Sequence, residues 1–143
     1  MKPGRERLVI LLSVAGLILF AGLALLGASG DAFFSQAFLI YSVGISAFLS
    51  GAWWGFALSK TPQPASPVIP LVLSNCLVLV SVAALIWAEP AIALLTQAGV
   101  LSLLAVGERR IKPMQAAPRY YQRMRWHVSA VAVLLHLGLW AFL

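Results

Sequence analysis

Five apolar runs make up most of this chain, separated by short polar or proline-rich breaks. The first, residues 8–28, is 21 residues without a charge. As a helix it would be about 31 Å long at ~1.5 Å per residue, enough to cross a hydrocarbon core of roughly 30 Å. The others are residues 33–58, 68–88, 91–106 and 126–143. The second is long enough to tilt, and the fourth, the shortest, should stand nearly upright. Together they predict an all-α protein: one domain over residues 1–143, a bundle of five transmembrane helices. The breaks fit this reading. Gly30 and Asp31 form a tight polar turn. SKTPQPASP, with three prolines, forbids helix and favours an extended connection. Ser66 and Pro67 suit a helix start. Glu89-Pro90 separates the third and fourth runs closely enough to make them antiparallel neighbours. The sizeable polar segment is GERRIKPMQAAPRYYQRMR, where Pro118 is a candidate first residue of the last helix.

Composition supports this class. Hydrophobic residues are 62% of the chain and charged residues 10%, against roughly 45–50% and about 25% in soluble domains. A net charge of +6 raises nucleic acid as a partner, but the basic residues are few and none lies on a soluble domain. The lipid bilayer, and anionic headgroups in particular, are the expected partners; nucleic acid is not. Cys76 is the single cysteine, which leaves no intramolecular disulfide and no multi-cysteine metal site. The first run also invites reading as a secretory signal, with Gly27 and Ser29 near a cleavage site. It is longer than the ~7–15 residues of such a segment, so a retained span is expected.

The stretch 41–58, YSVGISAFLSGAWWGFAL, looks like the central packing helix. Gly44, Ala47, Gly51 and Gly55 provide small residues, the last three recurring every fourth position and so lying on one helix face. Helices associate in lipid by close backbone approach rather than by hydrophobicity, so this face is expected to pack against a neighbour. Trp53 and Trp54 lie beside it, placed to wedge against that neighbour or to reach the headgroups.

Charge gives an orientation. Lys2, Arg5 and Arg7 precede the first run, Lys60 follows the second, and Arg109, Arg110, Lys112, Arg119, Arg123 and Arg125 lie between the fourth and fifth; these are all ten basic residues. Five spans put them on one side, which the positive-inside rule makes cytoplasmic. The N-terminus is then cytoplasmic and the C-terminus periplasmic.

Candidate chemistry is sparse. No Asp, Glu, Lys or Arg falls inside the apolar runs, which counts against a pump or an ion-coupled transporter. The polar residues inside them, among them Ser46, Ser50, Ser81 and Gln97, suit interhelical hydrogen bonds. His136, deep in the last run, is a candidate to ligate haem or copper, against a hydrogen-bonded packing role. His127 is too far along the helix to share a metal with it. Arg119, Tyr120, Tyr121, Arg123, Arg125 and Trp126 form a basic, aromatic collar, read as a headgroup anchor or as a docking site for a lipid or protein. No nucleophile–base pair, phosphate loop or metal-ligand pair occurs, so the expectation is a protein that is not an enzyme and has no cofactor.

Two segments carry a resemblance. Tyr41, Gly51, Trp54 and Gly55, within YSVGISAFLSGAWWGFAL, and Pro118, Tyr121 and Arg125, within PRYYQRMR, resemble the signature of a membrane family of unknown function (a DUF family) that includes animal transmembrane protein 69. The order of spans is also similar. The chain departs from that pattern at Ser50-Gly51, where the family has a Gly-Gly pair, at Trp53, where a histidine precedes the tryptophan, and at Tyr120, more often tryptophan. A function resting on that histidine would be absent here. The resemblance implies a small multi-span protein of bacterial or mitochondrial inner membranes and brings no activity. The N-terminus lacks an Arg- and Ser-rich amphipathic presequence, which favours a bacterial inner membrane. The expected function is a structural, accessory or assembly factor of a larger membrane complex; the alternative is binding or transport of an apolar small molecule, a lipid or a quinone.

Overall fold

The computed structural model describes residues 3–58, 68–110 and 118–143. Its elements are five helices: α1 (Pro3–Gly27), α2 (Ala32–Ala57), α3 (Val68–Trp87), α4 (Pro90–Arg110) and α5 (Arg119–Phe142). All five are long and apolar enough to cross a membrane. The all-helical bundle read from the apolar runs is therefore what forms, and the protein is a membrane protein. Large apolar side chains cover its outside, including Leu11, Phe48 and Leu79, each about two-thirds exposed or more. Such a surface is stable facing lipid and not water.

The ends of the helices show why each starts and stops where it does. Gly30 turns the chain between α1 and α2 with φ +88, a conformation that only glycine adopts freely. Asp31 then caps α2, its carboxylate accepting from the Phe33 amide at 2.9 Å. Pro90 opens α4 at the first helical position, where its missing N–H costs nothing, and the Glu89 carbonyl accepts the first bond from Ala93. The expected Ser66-Pro67 start of α3 and the extended 59–67 connection lie outside the described residues.

Three helices overrun the apolar stretches. α1 begins five residues before Leu8, α4 continues past Val106 to Arg110, and α5 begins at Arg119 rather than at Trp126. Pro118 is the cap of α5, not its first helical residue; its carbonyl accepts from the Gln122 amide. The physical reason is the same in each case. Hydropathy marks where the membrane ends, whereas Arg, Glu, Gln and Met propagate a helix readily beyond that edge.

In the bundle, α1 packs on α2, α2 on α3, α3 on α4, α4 on α5 and α5 back on α1, closing a ring. α2 also packs across the ring on α4. Because the chain crosses back and forth, the start of α1, the end of α2, the end of α4 and the start of α5 share one end of the bundle. Arg109, Arg110, Arg119, Arg123 and Arg125 are at that end, and Asp31 and Glu89 are at the other.

α2 is central, but not through its glycines. Its buried face is Ser35, Phe38, Leu39, Ser42, Ser46, Leu49, Ser50, Trp53 and Ala57. Gly44, Ala47, Gly51 and Gly55 are exposed, and a methyl group built on any of the three glycines would have nothing within 4 Å. The expected small-residue packing face therefore points out of the bundle. Serine explains the difference: it is nearly as small as alanine, and its hydroxyl supplies the interhelical hydrogen bond that lipid cannot. Gly51→Leu and Gly55→Leu should consequently leave the melting temperature of the purified monomer close to that of the wild type. A loss of several degrees would show that this face is covered.

Candidate functional site

The buried polar groups form three tiers down the inner face of α2. At mid-depth, Ser42 Oγ and His136 Nε2 are 2.7 Å apart, and His136 Nδ1 is 2.7 Å from the Ala132 carbonyl. A carbonyl only accepts, so Nδ1 carries the proton and Nε2 accepts from the serine. Phe20 and Phe38 stack on each other at 4.6 Å, and both meet the imidazole edge-on. His136 thus ties α5 to α2, with both ring nitrogens in use and none open to a metal. The haem or copper role raised from sequence does not fit this arrangement.

In the second tier the Gln97 carbonyl oxygen accepts from Ser46 at 3.3 Å and from Ser81 at 3.2 Å. Its amide nitrogen donates to the Ser81 carbonyl at 3.1 Å. One fully buried glutamine therefore bonds α4 to both α2 and α3.

The third tier lies at the basic end. Arg125 is 5% exposed and holds Glu108 with two hydrogen bonds, from Nε and from Nη2. Its Nη1 donates to the Tyr121 hydroxyl at 3.2 Å. The Trp53 indole N–H donates to Glu108 at 3.3 Å, and its ring lies against Gly107, leaving no room there for a methyl group. Three helices thus meet on a neutralised carboxylate.

The collar divides accordingly. Arg119 and Arg123 are exposed and Tyr120 is half-buried, as headgroup anchors should be. Trp126, also half-buried, sits under the Arg109 guanidinium at 3.8 Å, a cation–π contact. Arg125 does not belong with them, because it turns inward to Glu108.

Beside the third tier a groove of about 430 Å³ runs between α1, α2 and α5. It extends from Val9 to Phe20 along α1, about 16 Å by helix rise, so it reaches from the basic end to mid-depth. Leu12, Leu17, Ile45 and Phe48 are among its apolar lining, and Tyr41, Tyr121, Met124 and Arg125 also line it. Tyr41 holds α2 to α1 by donating to the Gly16 carbonyl at 3.2 Å.

Three of the signature residues, Tyr41, Tyr121 and Arg125, therefore meet at one groove, and Pro118 starts the helix that carries two of them. Trp54 is not among them; it is exposed. Sequence reasoning missed Phe20, Ser42 and Glu108 as site residues, whereas Gln97 was expected to bond between helices and does so. Glu108 had a usable signal, as the single acid within a strongly basic segment. Phe20 had none, because an aromatic residue in an apolar run is unremarkable.

Comparison with known proteins adds a family and nothing about activity. No curated protein and no solved structure matches the chain. A family profile described as "Protein of unknown function (DUF3429)" matches residues 5–141, which takes in all five helices except the first and last residues of the bundle. This chain belongs to the DUF3429 family of proteins of unknown function.

Proposed function

We propose that this protein binds an apolar small molecule of the membrane, a lipid or a quinone, in the groove between α1, α2 and α5, without acting on it as an enzyme. The observation that carries this reading is the groove itself. At about 430 Å³ it falls within the ~300–1,000 Å³ of small-molecule sites, and like them it is mainly apolar with a few convergent polar groups. Its side between α1 and α2 would admit a ligand from the bilayer. In a bacterial inner membrane, the charge distribution supports an N-terminus in the cytoplasm and a C-terminus in the periplasm, so the groove would open toward the cytoplasmic leaflet. Exposed Arg119 and Arg123 would rest on anionic headgroups there.

The test is solvent extraction and mass spectrometry of gently solubilised protein. Ile45→Trp places an indole in the groove, whereas Ile40→Trp, on an exposed position of the same helix, does not. A lipid or quinone carried by the wild type and by Ile40→Trp, but lost from Ile45→Trp, is the expected result. Equal cargo in all three would end this reading.

The exposed stripe of Gly44, Ala47, Gly51 and Gly55 favours a second reading, an accessory or assembly factor of a larger membrane complex. An uncovered small-residue face lets a partner helix approach closely. A co-purifying protein that is lost from Gly51→Leu, while the monomer stays stable, would support it; an unchanged set of partners would oppose it.

A further inference from the structure

We infer that the ligand of the groove is a quinone-class molecule, a neutral carbonyl-bearing ring on one apolar chain, with its carbonyl on the Tyr121 hydroxyl and its chain running toward Phe20. This inference rests on the groove being a binding site and adds the chemistry of its occupant.

Charge decides first. Among the described residues Arg125 is the single charged side chain lining the groove, and Glu108 neutralises it through two hydrogen bonds. An anionic head would need an unpaired cation and a cationic head a free carboxylate; the lining offers neither, and burying an unpaired charge is costly. The head is therefore neutral.

Hydrogen bonding decides next. The Tyr41 hydroxyl donates to Gly16, and the Ser13 hydroxyl donates to the Val9 carbonyl at 2.9 Å. Tyr121 differs. Its oxygen accepts from Arg125, and among the described residues its own proton has no acceptor. A phenol whose oxygen accepts from a guanidinium is a strengthened donor. Among the described residues the groove thus offers one O–H, at its basic end, which calls for an acceptor such as a carbonyl. Shape decides last. Tyr41, Tyr121, Phe20 and Phe48 put aromatic rings along the wall, and the Met124 thioether, 3.2 Å from the Ser13 hydroxyl, also lines it. These surfaces favour a flat ring by stacking and sulfur contact. A single groove of this size holds one chain, which favours a quinone over a two-chain glyceride.

The experiment titrates purified protein in detergent with a short-chain alkyl benzoquinone and with an alkylbenzene of the same chain length, which lacks an acceptor. Wild type is expected to bind the quinone about tenfold more tightly, the equivalent of one hydrogen bond. Tyr121→Phe should remove that preference and leave alkylbenzene binding unchanged. Ile45→Trp should weaken both ligands. If wild type binds the two ligands equally, or Tyr121→Phe weakens both alike, the head assignment is overturned while the groove stands. If a diacylglycerol displaces the quinone more effectively than unlabelled quinone does, the quinone class is overturned. If neither ligand binds, or Ile45→Trp affects neither, the groove reading itself fails.

Discussion

Replacing Arg125 by leucine should destabilise the protein by about 3 kcal/mol, near the lower end of what breaking a buried ion pair costs. The arginine is 5% exposed and the Glu108 side chain 15%, so the carboxylate left behind has little access to solvent. Tyr121 would lose a donor as well, and Trp53 would be bonded to an acceptor held from one side only. The position near the edge of the bundle keeps the cost from the top of the range, because the 15% of the Glu108 side chain that is exposed gives the carboxylate some contact with its surroundings. Arg123→Leu, on an exposed position two residues away, should be nearly silent, as surface charges contribute little. Glu108→Gln in the Arg125→Leu background should recover most of the loss, since the neutral amide no longer leaves a buried charge and still accepts from Trp53. Thermal and denaturant unfolding in detergent measure all of these. A wild-type melting temperature for Arg125→Leu would mean that the pair holds nothing together.

Gly107→Ala is expected to cost nearly as much, toward the upper end of the ~1–3 kcal/mol typical of overpacking. The new methyl group would lie 2.7 Å from Cζ2 of Trp53 and closer still to Cη2. Trp53 is fully buried, and its indole N–H is tied to Glu108, so the ring cannot swing aside without giving up that bond. Trp53→Phe removes the part of the ring that collides. The double variant should therefore be less destabilised than the sum of the two single changes. Gly99→Ala, in the same helix, is the control: nothing lies within 4 Å of its added methyl, and alanine is the better helix former by about 1 kcal/mol. The two substitutions should thus shift unfolding in opposite directions. Equal effects would show that α2 and α4 do not approach as closely as Trp53 and Gly107 indicate.

The two predictions concern neighbouring parts of one junction, and this junction bounds the proposed site. Arg125 links Glu108 to Tyr121, and Tyr121 is the donor assigned to the ligand. Loss of the ion pair should therefore also reduce quinone preference, through the position of the Tyr121 hydroxyl.

Much of the architecture was legible in the chain itself. Crossing a bilayer requires about 20 apolar residues in a row, a local property, so residues 8–28 and 68–88 announce helices without any knowledge of their neighbours. Asp31 and Glu89-Pro90 mark turns by equally local chemistry. Tyr41, Tyr121 and Arg125 could be singled out from their motifs, though not brought together. What the sequence could not show was which face of a helix turns inward. In a soluble protein the apolar stripe answers that question; in α2 both faces are apolar, and the small residues pointed to the wrong one. The inner face was decided by partners on other helices: His136 for Ser42, Gln97 for Ser46, and Glu108 for Trp53, 94, 51 and 55 residues away. The groove is further still from local sequence. It lies where α1, α2 and α5 meet, and side chains from all three helices line it. A gap between three helices is a property of their packing, written in no one of them.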